Sequence, residues 1–413
     1  MSVSPCHLSR FSPEFQLACL CCRVEPTAEN QTEIRRLLGE VDVPAFVALV
    51  ITRHRIGSLV QSVLSGLPAQ DLPPGLMAPL SEAATLNAVK VMQAMRAHAL
   101  LARWFAEAGV DWLPFKGITL AVRYYVAPSA RHANDLDIWV PAGQLDQARA
   151  VLHEHGFREL GAHIHGDLAA RGKKHAAYLA AHYHEEQQYN PEFGKLELHW
   201  RLADDPFQFQ LPADQILANA DRLQLGGASL PVMGDVDLLL YLCNHGARHG
   251  WSRLKWLADL PRVLASRTWD WLQVMGRARQ LGCHPSLLLG VALCRDLFAW
   301  QPPAEVGTAI ARSWRLPLAL RLMRSSWDAP VPGNEMPLAQ AAPQVLRESA
   351  FNALLTSSPR SVAYQSWRYL LSPNDLRLLR LPDRWFGLYY PLRPALMIAR
   401  RARALRKAGS SSP

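Results

Sequence analysis

The sequence contains no apolar run near the ~20 residues that a membrane-crossing helix requires. No sustained apolar segment follows Arg10 either, since Pro13 and Glu14 intervene, so the expectation is a cytoplasmic protein. The seven cysteines, an odd number, suggest no disulfide framework; Cys19, Cys21 and Cys22 instead crowd one apolar segment as small buried side chains. Cys19 and Cys22 have CxxC spacing, but no second CxxC or paired histidine motif completes a zinc site. Internal repeats, low-complexity linkers and nucleic-acid-binding motifs are also missing, so nucleic acid is not an expected partner.

What remains is a 413-residue chain, 49% hydrophobic and 19% charged, with room for two or three domains. Its net charge of +9 suits anionic partners in general. Excess base gathers at the end, where Arg393, Arg400, Arg401, Arg403, Arg406 and Lys407 occur with no acid among them. A basic helix over Ala395 to Ala408, preceded by aromatics at 385–390, reads as a solvated helix end that could touch an anionic membrane surface.

Residues 14 to about 110 read as helices broken by Pro68, Pro73, Pro74 and Pro79, then a long helix from Ala83 to Ala108. In that helix Leu86, Val89, Met92, Met95 and Ala99 recur at three- and four-residue steps, which predicts a core-facing stripe. From Trp112 the pattern becomes short strand, helix (Ile118 to Tyr125) and strand, followed by a helix over Ala142 to His155. Two further runs, Tyr183 to Gln188 and Lys195 to Trp200, flank the turn Asn190-Pro191-Glu192-Phe193-Gly194 as a hairpin. Helices are expected again over Leu238–His249, Ser252–Ala265, Trp269–Leu281 and Pro285–Trp300. The resulting division is a helical region to residue 110, a central unit over 111–230 and a helical region over 231–413.

The chemistry concentrates between Phe115 and Trp139. Asp135-Leu136-Asp137-Ile138 alternates as a strand does, directing both carboxylates to one face and both apolar side chains to the other. Two hard oxygen ligands side by side suit magnesium bridging nucleotide phosphates. An acid-x-acid pair alone carries little weight, but Lys116-Gly117 opens a helix whose first amides can hold an anion, and Arg131 precedes the strand. Leu196-Glu197-Leu198-His199-Trp200 sorts its leucines from Glu197 and His199 in the same way.

Lys116-Gly117, Arg131, Asp135-x-Asp137 and Glu197-x-His199-Trp200 together resemble nucleotidyltransferases of the polymerase-beta type. The similarity is closest to a poorly characterised bacterial family with Lys-Gly in place of the usual Gly-Ser and a helical His-Gly-x-x-His-x-Trp segment. Here that segment is His245-Gly246-Ala247-Arg248-His249-Gly250-Trp251, and the likeness continues through Arg253, Lys255, Trp256 and Asp259.

The resemblance implies an α+β fold: a small mixed sheet between an N-terminal helical region and a C-terminal helical domain. It implies two magnesium ions on Asp135, Asp137 and Glu197, and a nucleoside triphosphate attacked at its α-phosphate with pyrophosphate leaving. Lys116, Gly117 and Arg131 would serve the nucleotide, Lys116 as a mobile charge in place of a hydroxyl. The acceptor implied is a small molecule, a modified peptide or a glycan precursor. Two rivals stand beside this reading: phosphoryl or glycosyl-phosphate transfer on the same fold, and a non-catalytic accessory that binds nucleotide or peptide.

Eleven of the fifteen histidines fall between His132 and His249, among them the pairs His153/His155, His163/His165 and His182/His184, yet no cysteine lies nearby to favour zinc. His184 is expected to approach Glu197 across the hairpin, with His199 as a candidate site residue. His245 and His249, four apart on a helix, and the neighbouring Lys255 and Asp259 are candidates for facing the substrate or bridging domains.

Overall fold

The Asp-Leu-Asp and Glu-Leu-His-Trp segments lie side by side as parallel strands inside a five-stranded mixed sheet. The computed structural model describes residues 8–24, 27–160, 170–323, 327, 338–356 and 358–409. The expected His163/His165 pair lies outside them. The sheet runs in the order β1 (Leu113–Pro114), β2 (Leu136–Trp139), β5 (Gly194–His199), β4 (Glu185–Asn190), β3 (Arg158–Glu159). Every neighbouring pair is antiparallel except β2 and β5. The fold is mostly helical, with helical regions before and after this sheet, as expected.

Strand alternation gives the sheet two unlike faces. Leu136, Ile138, Leu196 and Leu198 are buried on one side against the helices Met77–Ala108 and Leu145–Glu154, through Val91, Leu101, Phe105, Val151 and Leu152. Asp137 and Glu197 face the other way, in register.

The long helix starts at Met77 rather than Ala83, because a proline in the first turn, here Pro79, has no intrahelical donor to lose. Its core stripe also differs from the expected one. Leu80, Asn87, Val91, Ala94, His98, Leu101 and Phe105 are buried, whereas Leu86, Val89 and Met92 are exposed. Both stripes fit a helical period, and the winning face is the one whose alanines let the helix approach the sheet. Buried Asn87 then holds the loop leading to β2: its Nδ2 donates to the carbonyls of Ser129 (2.7 Å) and Arg131 (3.0 Å), and its Oδ1 accepts from Ala133 N–H.

A two-stranded hairpin, β6 (Asp221–Leu225) with β7 (Ala228–Val232), was not anticipated. Gly226 and Gly227, both at positive φ, make its two-residue turn.

A second core joins the N-terminal helices to those after Asp235, bringing Phe15, Leu37 and Val60 together with Leu240, Leu257, Val291 and Trp327, and a smaller third one gathers Tyr178, Leu371, Leu376 and Tyr389. Trp251, at φ 48°, is fully buried there, and its carbonyl accepts from Trp327 Nε1 at 2.8 Å. Gly246 in the His-Gly-x-x-His-x-Trp segment is explained by this ring, since any Cβ at that position would collide with the Trp251 indole. Gly246→Ala is therefore expected to cost about 3 kcal/mol or more by overpacking. Urea denaturation checks this, and an unchanged midpoint would contradict it.

The histidines buried far from solvent set an acid limit. Burial pushes His54 down to about 3 and His98 to about 4, against an ordinary 6.5. Below pH 6.5 the unfolded chain takes up these protons while the fold does not, so stability falls from about pH 6.5 towards 4. Each such histidine contributes up to ~1.4 kcal/mol per pH unit. Melting temperature should drop steeply across that window and less steeply in His98→Gln; a flat profile would refute the assignment.

Candidate active site

The cavity in front of the polar sheet face encloses about 700 Å³. It is roofed by the helices Asp235–Arg248 and Leu254–Ala265, and by Glu348, Asn352, Gln365 and Arg368 from later helices. Lys116 and Gly117 enter it at the turn before the helix Ile118–Tyr124. Gly117 has φ +68°, so the backbone conformation rather than space selects glycine; a Cβ would meet only ordinary contacts of 3.5 and 3.6 Å with Asp135 and Asp137.

Asp137 and Glu197 are directly paired across β2 and β5. Lys116 Nζ stands 2.9 Å from Asp137 Oδ1 and 3.7 Å from Glu197 Oε2, and Lys195 Nζ is 2.5 Å from Glu197 Oε1. His199 Nε2 is 3.7 Å from both acids, while its Nδ1 is 3.2 Å from Glu185 Oε2. Burial opposes the charge on Lys116, but Asp137, Tyr241 and Glu197 outweigh it and hold the ammonium well above its usual range. Burial likewise opposes ionisation of Glu197, yet His199, Lys116 and Lys195 pull it below the usual carboxylate range. For His199 the carboxylates of Asp137 and Glu197 prevail over desolvation and raise it. A compact set of opposite charges is thus held in a half-buried cleft.

Among the described residues, two groups bring three ligand atoms within 4.8 Å of one another: Asp137, Glu197 and His199, and His184, Glu185 and His199. Asp135 lines the same cavity but precedes the first residue of β2, so strict alternation does not carry it into the tight group. It still senses the site, because burial and then the charges of Asp137 and Glu197 raise its pKa. The His184 ring is tilted against that of His199, with centres 5.7 Å apart, and lies beside Glu185 (3.4 Å), one residue before β4, in which Gln187 is the residue that pairs with Glu197.

Arg131 is committed elsewhere. Its Nε and Nη2 make a two-pronged pair with Asp259 at 2.8 and 2.9 Å, and its Nη1 donates to the Gly117 carbonyl at 2.9 Å. Tyr125 OH adds a third donor to Asp259 at 2.8 Å. With every fork occupied, Arg131 and Asp259 brace the Lys-Gly turn against the helix Leu254–Ala265.

His245 and His249 reach the cavity as part of an aromatic wall. His245 stacks on Tyr241 at 5.5 Å and His249 on Trp256 at 4.8 Å. Burial holds His245 well below its ordinary pKa and His249 at about 4, so both are neutral, polarisable surfaces. Lys255 also lines the cavity, and burial together with Arg131 lowers it to about 8.

Sequence reasoning missed Glu185, which the hairpin register sets opposite His199, and Asn87, which positions the loop before β2. The alternation Glu185-x-Gln187 was the available signal for the first. An asparagine inside an otherwise apolar helix face was the signal for the second.

Buried Asp137 Oδ1 and both ring nitrogens of His199 accept or donate no well-aligned hydrogen bond. Ligand atoms so placed beside Glu197 are a donor set that fits a divalent cation. A family model described as an uncharacterised nucleotidyltransferase matches residues 39–299. The chain belongs to that family. No curated protein and no solved structure matches it. The match takes in the Lys-Gly turn, β2, β5 and the aromatic wall, while the cavity residues from Glu348 onward lie beyond it. No helix among the described residues is long and apolar enough to cross a membrane.

Proposed function

We propose that the protein transfers a nucleotidyl group from a nucleoside triphosphate to an acceptor bound in the same cavity, releasing pyrophosphate. The observation that carries this reading is the register of Asp137 against Glu197 on adjacent parallel strands, with Lys116 across both. Magnesium held by Asp137 and Glu197, with Asp135 beside them, would supply charge neutralisation at the transferring phosphate. Lys116, released from the carboxylates, would compensate charge on the leaving pyrophosphate, and Arg131 would keep the Lys-Gly turn in place through the Gly117 carbonyl. His199, between the acids and Glu185, would orient their carboxylates.

The acceptor would enter beneath the aromatic wall and meet the polar side chains of Asn352 and Gln365. A small molecule, modified peptide or glycan precursor suits a cavity of about 700 Å³, whereas a duplex does not. The test is incubation with nucleoside triphosphates labelled at the α- or γ-phosphate, magnesium and a small-molecule extract. Label from the α-phosphate alone should appear in a new product, with pyrophosphate released. Label from the γ-phosphate in the product would overturn the reading in favour of phosphoryl transfer.

A further inference from the structure

Most cations on the cavity wall already have a carboxylate. Lys116 has Asp137 and Glu197, Arg131 has Asp259, Arg248 and Arg368 share Asp204, and Arg393 has Asp375. Arg55, Arg253 and Lys255 line the same cavity, are half-buried, and form no ion pair within 4.0 Å among the described residues. Half-buried positive charge without a counter-ion is costly, so a wall that gathers three such groups is arranged for an anion that arrives from outside.

Two segments two hundred residues apart are tied together to make this wall. Buried His54 accepts the Leu254 N–H at Nδ1 (3.2 Å), and its carbonyl accepts the Lys255 N–H (3.2 Å). Burial keeps His54 neutral, which leaves Nδ1 free to accept. The next residue, Arg55, sits at φ +55°, a left-handed conformation uncommon for a residue with a side chain. The Arg253 guanidinium is steadied over the Trp256 ring at 5.8 Å. The three cations act on one another and on the site. After burial, Arg55 lowers Arg253; Lys255 and Arg55 lower the cavity residue His132; and Lys255 feels Asp135 and Asp137. The cluster therefore adjoins the Asp135 end of the carboxylate group.

We propose that Arg55, Arg253 and Lys255 form a cradle for the polyphosphate tail of the nucleoside triphosphate, filling the place left when Arg131 is committed to Asp259. The inference rests on the nucleotidyl-transfer reading above. Three cations with no close ion pair of their own match a ligand with several negative charges that brings its own divalent cation, whereas a singly charged acceptor would leave two of them without a close partner.

The test is calorimetric titration of inorganic tripolyphosphate, with and without magnesium, into the full-length protein and its Lys255→Gln and Arg253→Gln variants. Both substitutions keep the backbone N–H groups, including the one donated to His54. Tripolyphosphate should bind the wild type, more weakly as salt is raised, and affinity should fall roughly tenfold or more in each variant. Melting temperature should stay level or rise, because a lysine disfavoured by burial and a like-charge contact are removed; a merely structural role would lower it. No binding to the wild type, or unchanged affinity in both folded variants, would overturn the cradle. If α-phosphate transfer still occurred in that case, the transfer reading would stand with the phosphates held elsewhere; loss of tripolyphosphate binding in the variants would support the cradle even if no transfer were found.

Discussion

Asp137→Asn is expected to lower nucleotidyl transfer by about three orders of magnitude while the protein stays folded. Asp137 is 3% exposed, yet it faces the cavity rather than the apolar layer, so the core formed by Leu136 and Ile138 is untouched. Asparagine fills the same volume but carries no charge for a divalent cation and leaves Lys116 with Glu197 as its one carboxylate. Charge neutralisation at the reacting phosphate is the main contribution a protein makes to such a reaction, hence the size of the loss. Pyrophosphate release measures the first effect and thermal unfolding the second. Near-normal turnover in a folded variant would remove Asp137 from the site.

Arg131→Ala should have the largest effect on stability. The Arg131–Asp259 pair is buried, at 6% and 2% side-chain exposure, and removing one partner leaves an uncompensated charge at a cost of about 3–5 kcal/mol. Tyr125 OH would remain on Asp259, while Gly117 would lose the donor to its carbonyl. Arg131→Met combined with Asp259→Leu removes both charges and should recover much of the loss in urea denaturation. Activity should not recover with it, because the Lys-Gly turn would still lack its brace. Recovery of both would mean that Arg131 acts through stability alone, and a mild single-variant effect would contradict the buried pair.

The same pair marks where sequence reading stopped short. Nothing in the spacing of Arg131 and Asp259, 128 positions apart, announces that they meet, so the nucleotide role that the resemblance implies for Arg131 carries no sign of the buried pair. Alternation within Leu136–Ile138 and Leu196–His199 did separate Asp137, Glu197 and His199 from the leucines and Ile138, since period two is a local property of extended backbone, whereas Asp135 and Trp200 lie outside the strands. The register Asp137 opposite Glu197 is non-local: the resemblance implies that Glu197 shares metal with the two aspartates, but the pairing of β5 with β2 is visible only in the fold. Helical periodicity located the long helix but not its buried face. Leu86, Val89 and Met92 are more apolar than Ala94 and Ala97, yet close approach to the sheet favours the small residues. The β6–β7 hairpin has a local signal in Gly226-Gly227 between alternating apolar residues.

The most direct test is calorimetric binding of each common nucleoside triphosphate, with and without magnesium, to the wild type and to an Asp135→Asn, Asp137→Asn double variant. Magnesium-dependent binding by the wild type that disappears in the folded double variant is the predicted result, and it would also name the preferred base. Magnesium-dependent binding that persists unchanged in the variant, or no binding of any triphosphate to the wild type, would contradict a nucleotide site built on these carboxylates.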